Sequence, residues 1–459
     1  MSRRYDAIVI GAGQAGPSLA VRLAGAGMTV AIVERHLVGG TCVNTGCTPT
    51  KALVASAYAA HLARRAADFG VRIEGGVQID MAEVRARTAR IAGRSRENNE
   101  KWLAGTDGLS LLRGHARFVG PHEIALGDER LTAPRIFLNV GGRAATPDMP
   151  GLGEIDWLTN SSILELDQVP KRLVVIGGSY IGLEFAQIFR RLGAEVVVVE
   201  MKNRIIPRED EEVSAAVQHI LEEDGVRFRL GAECISFARR GDEAVASVSC
   251  EAGAPDEAGS HVLLAVGRRP NTDDLGLEAA GVATDERGYV IVDDELRTSV
   301  EGVWALGDCN GRGAFTHTAY NDFEIVAANL LDGGSRRLSD RFPVYALYTD
   351  PPLGRVGMTE AEARGSGRRV LVSTRPMSRV GRAIEKGETK GFMKAVVDGE
   401  TREILGGAIL GVGGDEAVHG LLYAMQAGAT ADSIRTATPI HPTVSELLPT
   451  LMGDLKPAD

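Results

Sequence analysis

Two stretches of the chain run through the same sequence of apolar and polar positions. In "YDAIVIGAGQAGPSLAVRLAGAGMTVAIVER" the short apolar run Ala7 to Ile10 leads into a glycine cluster, then a helical stretch, then a second apolar run, Val30 to Val33, ending on Glu34. Short continuous apolar runs bounded by glycine fit strands covered on both faces, as in a parallel sheet. The stretch "KRLVVIGGSYIGLEFAQIFRRLGAEVVVVEM" repeats the arrangement and ends on Glu200. Two strand–turn–helix–strand units are therefore predicted. Elsewhere, helical segments such as 81–103 carry charge along one side and read as solvated faces. Turn-rich "NVGGRAATPDMPG", "AVGRRPNTDDLGL" and "LLDGGSRRLSDRFP" punctuate the chain and mark candidate crossings between domains.

The glycines give these units a chemistry. Gly11, Gly13 and Gly16 in the first unit, and Gly177, Ser179 and Gly182 in the second, permit a tight turn that brings backbone close to a pyrophosphate at a helix N-terminus. Glu34 follows Gly16 by 18 positions and Glu200 follows Gly182 by the same 18, where a carboxylate accepts hydrogen bonds from a ribose hydroxyl. One such fingerprint is a weak signal, but two in matching settings are a strong one. Two dinucleotide sites in one chain point to a flavin and a nicotinamide. Glu200 favours NADH, because a carboxylate repels the 2′-phosphate of NADPH, and Arg204 nearby would soften that rejection.

Composition narrows the class. The chain has 459 residues, 44% hydrophobic and 24% charged, with a formal net charge of −10. That length calls for more than one core. The acidic balance argues against nucleic acid or an anionic membrane as partner. No apolar run is long enough to cross a bilayer. The opening "MSRRYDAIVIGAG" reads as a strand entering its glycine loop rather than an export signal. Five cysteines do not make a disulfide scaffold, and a cytoplasmic location is expected.

Two of those cysteines, Cys42 and Cys47 in "GGTCVNTGCTPTK", lie close behind the first nucleotide unit. A metal site needs more ligands than His36 alone adds. A structural disulfide closing so small a loop contributes little and opens under reducing conditions. A disulfide opened and closed by a nearby flavin fits better. Thiol–disulfide exchange needs a thiolate, and the helical run after "TPTK" puts the pair near a helix N-terminus, where thiol pKa falls.

At this point the sequence resembles the flavoprotein disulfide reductases that include glutathione reductase, dihydrolipoamide dehydrogenase and mercuric reductase. The resemblance spans nearly the whole chain and rests on "GAGQAG", "GGTCVNTGCTPTK", "GGSYIGLE", "LRTSVEGVWALGDCNG" and "IHPTVSE", in that order. The segments "IIPREDEEV" and "YTDPPLGRVGMTEAEA" look most like the mercuric-reductase-like branch, which includes copper(II) reductases. The implied fold is α/β: two Rossmann-like nucleotide-binding domains, for FAD and NAD(P), plus a C-terminal α+β dimerisation domain. The expected division is an FAD domain over 1–142 and 271–338, an NAD(P) domain over 143–270, and the dimerisation domain over 339–459.

By this resemblance Cys47 is the flavin-side sulfur and Cys42 the outer thiol that attacks substrate. Lys51 sits by the flavin and pairs with Glu184, and Tyr180 covers the empty nicotinamide pocket. His441, supported by Glu446, is the base, reaching the active site of the other subunit of a homodimer. Asp308 binds the flavin ribitol. Gly40, Thr41, Ala116, Gly141 and Gly307 join the FAD contacts, and Gly267 joins the NAD(P) contacts. Cys309 reads as a small buried residue, Cys234 and Cys250 as inert, and His317 as structural or flavin-adjacent rather than a metal ligand; no metal site is expected.

The oxidant is the open end of this reading. The tail "MGDLKPAD" has no cysteine pair, and no Cys-x-x-Cys unit precedes the flavin unit, which argues against a dedicated mercuric reductase. His441 favours a thiol or disulfide substrate, though copper(II)-reducing relatives share it. The expected function is NAD(P)H-dependent reduction of a small disulfide or soft metal ion. Dihydrolipoamide dehydrogenase and mercuric or copper(II) reductase are alternatives, and a non-enzymatic flavoprotein redox sensor is the alternative from another class. Arg379, Arg382 and Tyr348 are candidates for shaping the substrate mouth.

Overall fold

A computed structural model describes residues 2–248 and 255–458. It is built around two parallel sheets of like topology. The first runs Val303–Ala305, Ile136–Leu138, Ala7–Ile10, Val30–Glu34, Leu109–Arg113. The second runs His261–Leu264, Arg172–Ile176, Glu195–Val199, Val226–Arg229, the same order without the outermost strand. Ile10 pairs with Val33 in one sheet as Ile176 pairs with Val199 in the other. Every residue of Ala7–Ile10 and Val30–Glu34 is buried, as strands covered by helices on both faces require. The doubled apolar pattern of the sequence is thus a doubled β-α-β unit.

Each unit closes on its glycine turn in the same way. Gly11 has φ +101°, and a Cβ there would stand 2.3 Å from the Asn139 carbonyl oxygen; Gly177 has φ +108°, and its Cβ would stand 2.5 Å from that of Ala265. A side chain at Gly16 would meet the Gly11 carbonyl oxygen at 2.2 Å, and one at Gly182 would meet that of Gly177 at 2.1 Å. Only glycine lets helix and strand approach this closely.

The two crossings between the sheets pair with one another, Gly142–Ala144 antiparallel to Arg268–Pro270. The chain then forms a third, antiparallel sheet, ordered Val344–Leu347, Leu353–Gly357, Ile404–Leu410, Phe392–Asp398, Val370–Pro376, Lys456–Pro457. Its first turn is fastened to the second nucleotide unit by one stripe of the Tyr180–Leu192 helix. Glu184 accepts from the Tyr348 amide at 3.0 Å, Gln187 exchanges hydrogen bonds with the Asp350 backbone at 2.7 and 2.9 Å, and Arg191 reaches the Asp350 carboxylate at 2.5 Å. The spacing of three and four puts all three side chains on one helical face.

A second tie is a buried ion cluster. Arg355 bonds Glu209 and Asp210, and Lys394 lies 2.7 Å from Glu360 and 3.5 Å from Asp210 and also pairs with Glu212. Arg355 and Lys394 are each 1% exposed. Cations so deeply buried stay charged only because acids surround them.

Among the described residues no helix is long and apolar enough to cross a membrane. The Met81–Ala104 helix matches the predicted solvated segment and is capped by Asp80, which accepts from the Glu83 amide at 3.0 Å.

Candidate active site

Cys42 lies in the short Gly40–Asn44 helix, and Cys47 is the first residue of the 18-residue helix Cys47–Arg64. The break between them follows from Gly46, where a Cβ would stand 2.8 Å from the Thr41 carbonyl oxygen. Asn160 donates to the Thr45 carbonyl oxygen at 2.8 Å and pins the intervening loop. Both cysteines are free thiols in this structure, hydrogen-bonded to each other. Cys47 is open to the cavity yet closely surrounded by protein atoms.

That setting polarises the pair. The hydrogen bond from Cys42 holds the Cys47 thiol down at about 6, helped by the Thr316 hydroxyl and the Lys51 ammonium and opposed by burial and by Glu184. The same bond, with burial, pushes Cys42 far above the ordinary thiol range. Thr316 Oγ1 lies 3.4 Å from Cys47 Sγ. A thiolate on Cys47 beside a thiol on Cys42 is the arrangement a dithiol needs to exchange with a disulfide.

Lys51 is one turn beyond Cys47 on the same helix face. Its Nζ stands 2.8 Å from Glu184 Oε2 and 4.4 Å from the centre of the Tyr348 ring. Glu184 is buried, so its charge is balanced by Lys51 and by the Tyr348 amide.

These residues open on a cavity of about 1690 Å³ that runs back along the first glycine turn. Gly11, Gly13, Glu34, Gly40, Thr41, Ala116, Gly141, Gly307 and Asp308 all line it, with Cys42, Cys47, Lys51, Tyr180 and Glu184. Gly16 sits behind the turn. Glu34 accepts from the amides of Ala12 and His36 at 2.8 and 2.7 Å, which fixes its carboxylate at the cavity edge. Asp308 lies 3.6 Å from Arg268, and burial pushes its carboxyl up. The glycine turn without room for side chains, the fixed acid and the long cavity fit an extended dinucleotide such as FAD.

Gly177, Ser179, Gly182, Glu200 and Gly267 gather around the second turn, outside that cavity. Glu200 repeats the geometry of Glu34, accepting from the amides of Gly178 and Lys202 at 2.6 and 2.8 Å. Arg204 is turned onto the Pro207 carbonyl oxygen at 2.9 Å. Tyr180, first residue of the following helix, joins the two regions.

His441 Nδ1 stands 2.8 Å from Glu446 Oε2, and its ring is 79% exposed. It does not line the cavity of its own chain. Arg379 and Arg382 do not line it either, while Tyr348 does. Cys309 is fully buried, its thiol 3.3 Å from the Leu306 carbonyl oxygen. Cys234 is disulfide-bonded, and Cys250 lies outside the described residues. His317 Nε2 meets the Val344 carbonyl oxygen at 2.7 Å. No metal-ligating cluster occurs among the described residues.

Sequence reasoning missed Asn139, Thr316 and Tyr345. Asn139 accepts from the Gly16 amide at 2.8 Å and so holds the glycine turn. Its place at the end of the strand Ile136–Leu138, where ligands gather in open parallel sheets, is a signal that could have found it. Thr316 and Tyr345 carry no such signal, because only folding brings them to Cys47 and Tyr180.

Comparison with known proteins agrees with this geometry. The sequence profile of the pyridine nucleotide-disulphide oxidoreductases matches residues 5–322, and that of their dimerisation domain matches residues 344–452. The chain is 34% identical to the probable pyridine nucleotide-disulfide oxidoreductase RclA of Escherichia coli, over 99% of this chain and 100% of that one. It is 35% identical to a dihydrolipoyl dehydrogenase of Thermus scotoductus (97% and 96% covered) and 33% identical to a mercuric reductase of Streptomyces lividans (97% and 94%). The solved Cu(II) complex of the HOCl-induced flavoprotein disulfide reductase RclA from Escherichia coli superposes with a TM-score of 0.90 at 33% identity, covering 98% of this chain and 99% of that one. Fold, cysteine pair and end-to-end likeness agree: the chain belongs to the pyridine nucleotide-disulphide oxidoreductase family of flavoenzymes.

Proposed function

We propose that this enzyme takes electrons from NADH, with NADPH as the lesser donor, and delivers them through FAD to Cys42 and Cys47 and on to a small disulfide or a soft metal ion. The observation that carries this reading is Cys47 at a helix N-terminus, its thiol near 6, in one cavity with the Gly11 turn and the Lys51–Glu184 pair. FAD, held by Gly11, Gly13, Glu34, Gly40, Thr41, Ala116, Gly141, Gly307 and Asp308, would supply the two-electron link between the nicotinamide and the sulfur pair.

The chain's own residues do the rest. Lys51 neutralises charge beside Cys47. Cys42, whose proton is held tightly, needs a base to become a nucleophile. His441 from a second copy of the chain takes that proton on Nε2, because Glu446 holds the Nδ1 hydrogen and so leaves Nε2 free to accept. Cys42 then attacks one sulfur of the substrate disulfide and expels the first thiolate, which takes the proton back from His441 and leaves as a thiol. Cys47 attacks the mixed disulfide, releases the second thiol and re-forms the Cys42–Cys47 bond, so two electrons pass to the substrate.

A homodimer is the working unit on this reading. The FAD domain comprises 1–142 and 271–338, the NAD(P) domain 143–270 and the dimerisation domain 339–459. The cytoplasm, where reduced nicotinamide is at hand, is the proposed compartment. The likeness to a Cu(II) complex keeps copper(II) beside disulfides among the oxidants to be tried.

The test is a panel of oxidants (lipoamide, glutathione disulfide, Hg(II), Cu(II) and a quinone) against NADH and NADPH. Sustained NADH consumption with a disulfide or metal ion, lost in Cys42→Ser with the flavin retained, is the expected result. A single stoichiometric reduction that then stops would mean a redox sensor, and undiminished turnover of Cys42→Ser would mean that electrons leave without the sulfur pair.

A further inference from the structure

Tyr180 stands where the two nucleotide regions meet. It opens the helix that follows the second glycine turn, and its ring packs against Phe315, the neighbour of the Thr316 that touches Cys47. The ring lines the cavity proposed for the flavin, so on the reading above a nicotinamide held on the second turn has to displace it to reach that cavity. What holds the ring there is a second aromatic. Tyr180 meets Tyr345 edge-on, centroids 5.5 Å apart at 66°, and Phe315 edge-on at 6.4 Å and 73°. Phe315 and Tyr345 are themselves stacked at 5.7 Å and 11°, so together they form one wall.

Tyr345 is fixed at both ends. Its ring is held by the stack, and its hydroxyl donates to Glu209 Oε1 at 2.6 Å. Glu209 is in turn gripped by Arg355, with Nε at 3.0 Å from Oε2. Arg355 is the cross-strand partner of Tyr345, so both side chains leave the same face of the third sheet and close on the same carboxylate. Both phenols are kept protonated by burial, which suits Tyr345 to donate. The wall therefore joins Tyr345 of the third sheet to Phe315, which precedes the helix Thr316–Leu331, whereas Tyr180 belongs to the second nucleotide unit.

We propose that Tyr345, braced by Glu209 and Arg355, is the seat on which Tyr180 rests when the nicotinamide site is empty, and so a positioning residue that sets the affinity for the nicotinamide. This deepens the reading of Tyr180 given above and rests on it. When a site is competent only with its gate open, apparent affinity falls by the fraction of time the gate is closed. Loosening the seat raises the open fraction. An edge-on aromatic pair is worth roughly a three- to tenfold change in such an equilibrium.

The experiment is titration of the oxidised holoenzyme with NAD+, read by calorimetry and by perturbation of the flavin absorption band. Tyr345→Leu is expected to bind NAD+ about three to ten times more tightly, and Tyr345→Phe, which keeps the ring, to stay within about twofold of the unmodified protein. Tyr180→Leu should tighten binding at least as much, and the double variant should add little, since both act on one contact. If Tyr180→Leu tightens binding while Tyr345→Leu does not, the seat is overturned and the gate stands. If neither moves it, the gate reading fails and takes the seat with it. Should Tyr345→Leu not retain flavin, Phe315→Leu removes the other ring of the wall and carries the same expected tightening and the same overturning result.

Discussion

Lys51 and Glu184, 133 positions apart in sequence, meet at 2.8 Å directly beside Cys47. The two act on the Cys47 thiol in opposite senses, the ammonium lowering its pKa and the carboxylate raising it. Lys51→Met is expected to move the appearance of thiolate above pH 6, and Glu184→Gln to move it below. Thiolate absorbance of the flavin-free dithiol, titrated with pH, checks both signs. Lys51→Met should also cost about 1–3 kcal/mol in urea unfolding, because it strips a buried acceptor of its charged partner.

The proton shared between the two cysteines gives a pH prediction. With Cys47 held at about 6, its thiolate is largely absent at pH 5 and largely formed by pH 7. The largest cause is the hydrogen bond from Cys42. Cys42→Ala therefore raises the midpoint toward the ordinary thiol value, and the same absorbance titration reads the shift. A midpoint unmoved by this variant would mean that the helix terminus and Lys51 suffice alone.

The exposed His441 makes a prediction about mixed dimers. Cys42→Ser and His441→Ala homodimers should each turn over at least about a hundredfold more slowly, the usual loss for a nucleophile or its base. A heterodimer of one subunit of each kind, isolated with two affinity tags, carries one intact cysteine pair facing one intact histidine. It should recover about half the activity per dimer. Recovery no greater than either parent would place the base within a single chain.

Arg355 is expected to matter for stability more than for turnover chemistry. Arg355→Leu leaves Glu209 and Asp210 as buried carboxylates short of a cation and should destabilise the fold by about 3–5 kcal/mol. Denaturant unfolding of the flavin-loaded protein measures it. Lys394 still faces Asp210, so the loss falls mainly on Glu209.

The paired glycine turns can be separated. Gly182→Ala drives a methyl group into the Gly177 carbonyl oxygen and should weaken NAD+ binding roughly tenfold or more while flavin content stays unchanged. Gly16→Ala should reverse the pattern, lowering flavin retention. Calorimetry and the ratio of flavin to protein absorbance distinguish them.

The doubled nucleotide unit was legible because its signals are local: an apolar run, a glycine turn and an acid at fixed spacing each act within some thirty residues. Cys47 on a helix N-terminus, with Lys51 one turn on, was legible for the same reason. The roles of Glu184 and His441 came from resemblance. The contacts that polarise or brace the site were not readable. Thr316 reaches Cys47 across 269 positions, and Glu209 reaches Tyr345 across 136. Nothing in a local pattern tells a serviceable threonine or tyrosine from an ordinary packed one. Of the residues suggested for the substrate mouth, Tyr348 lines the cavity, whereas Arg382 pairs with Glu385 at 3.0 Å.

The stripe Glu184, Gln187, Arg191 has a consequence for engineering. Because those side chains grip the main chain and carboxylate of Tyr348 to Asp350, a coenzyme-binding module transplanted from a relative would arrive with the wrong handholds unless the receiving loop were exchanged with it. Swapping donor preference by grafting should therefore succeed as a two-piece exchange and fail as a one-piece one.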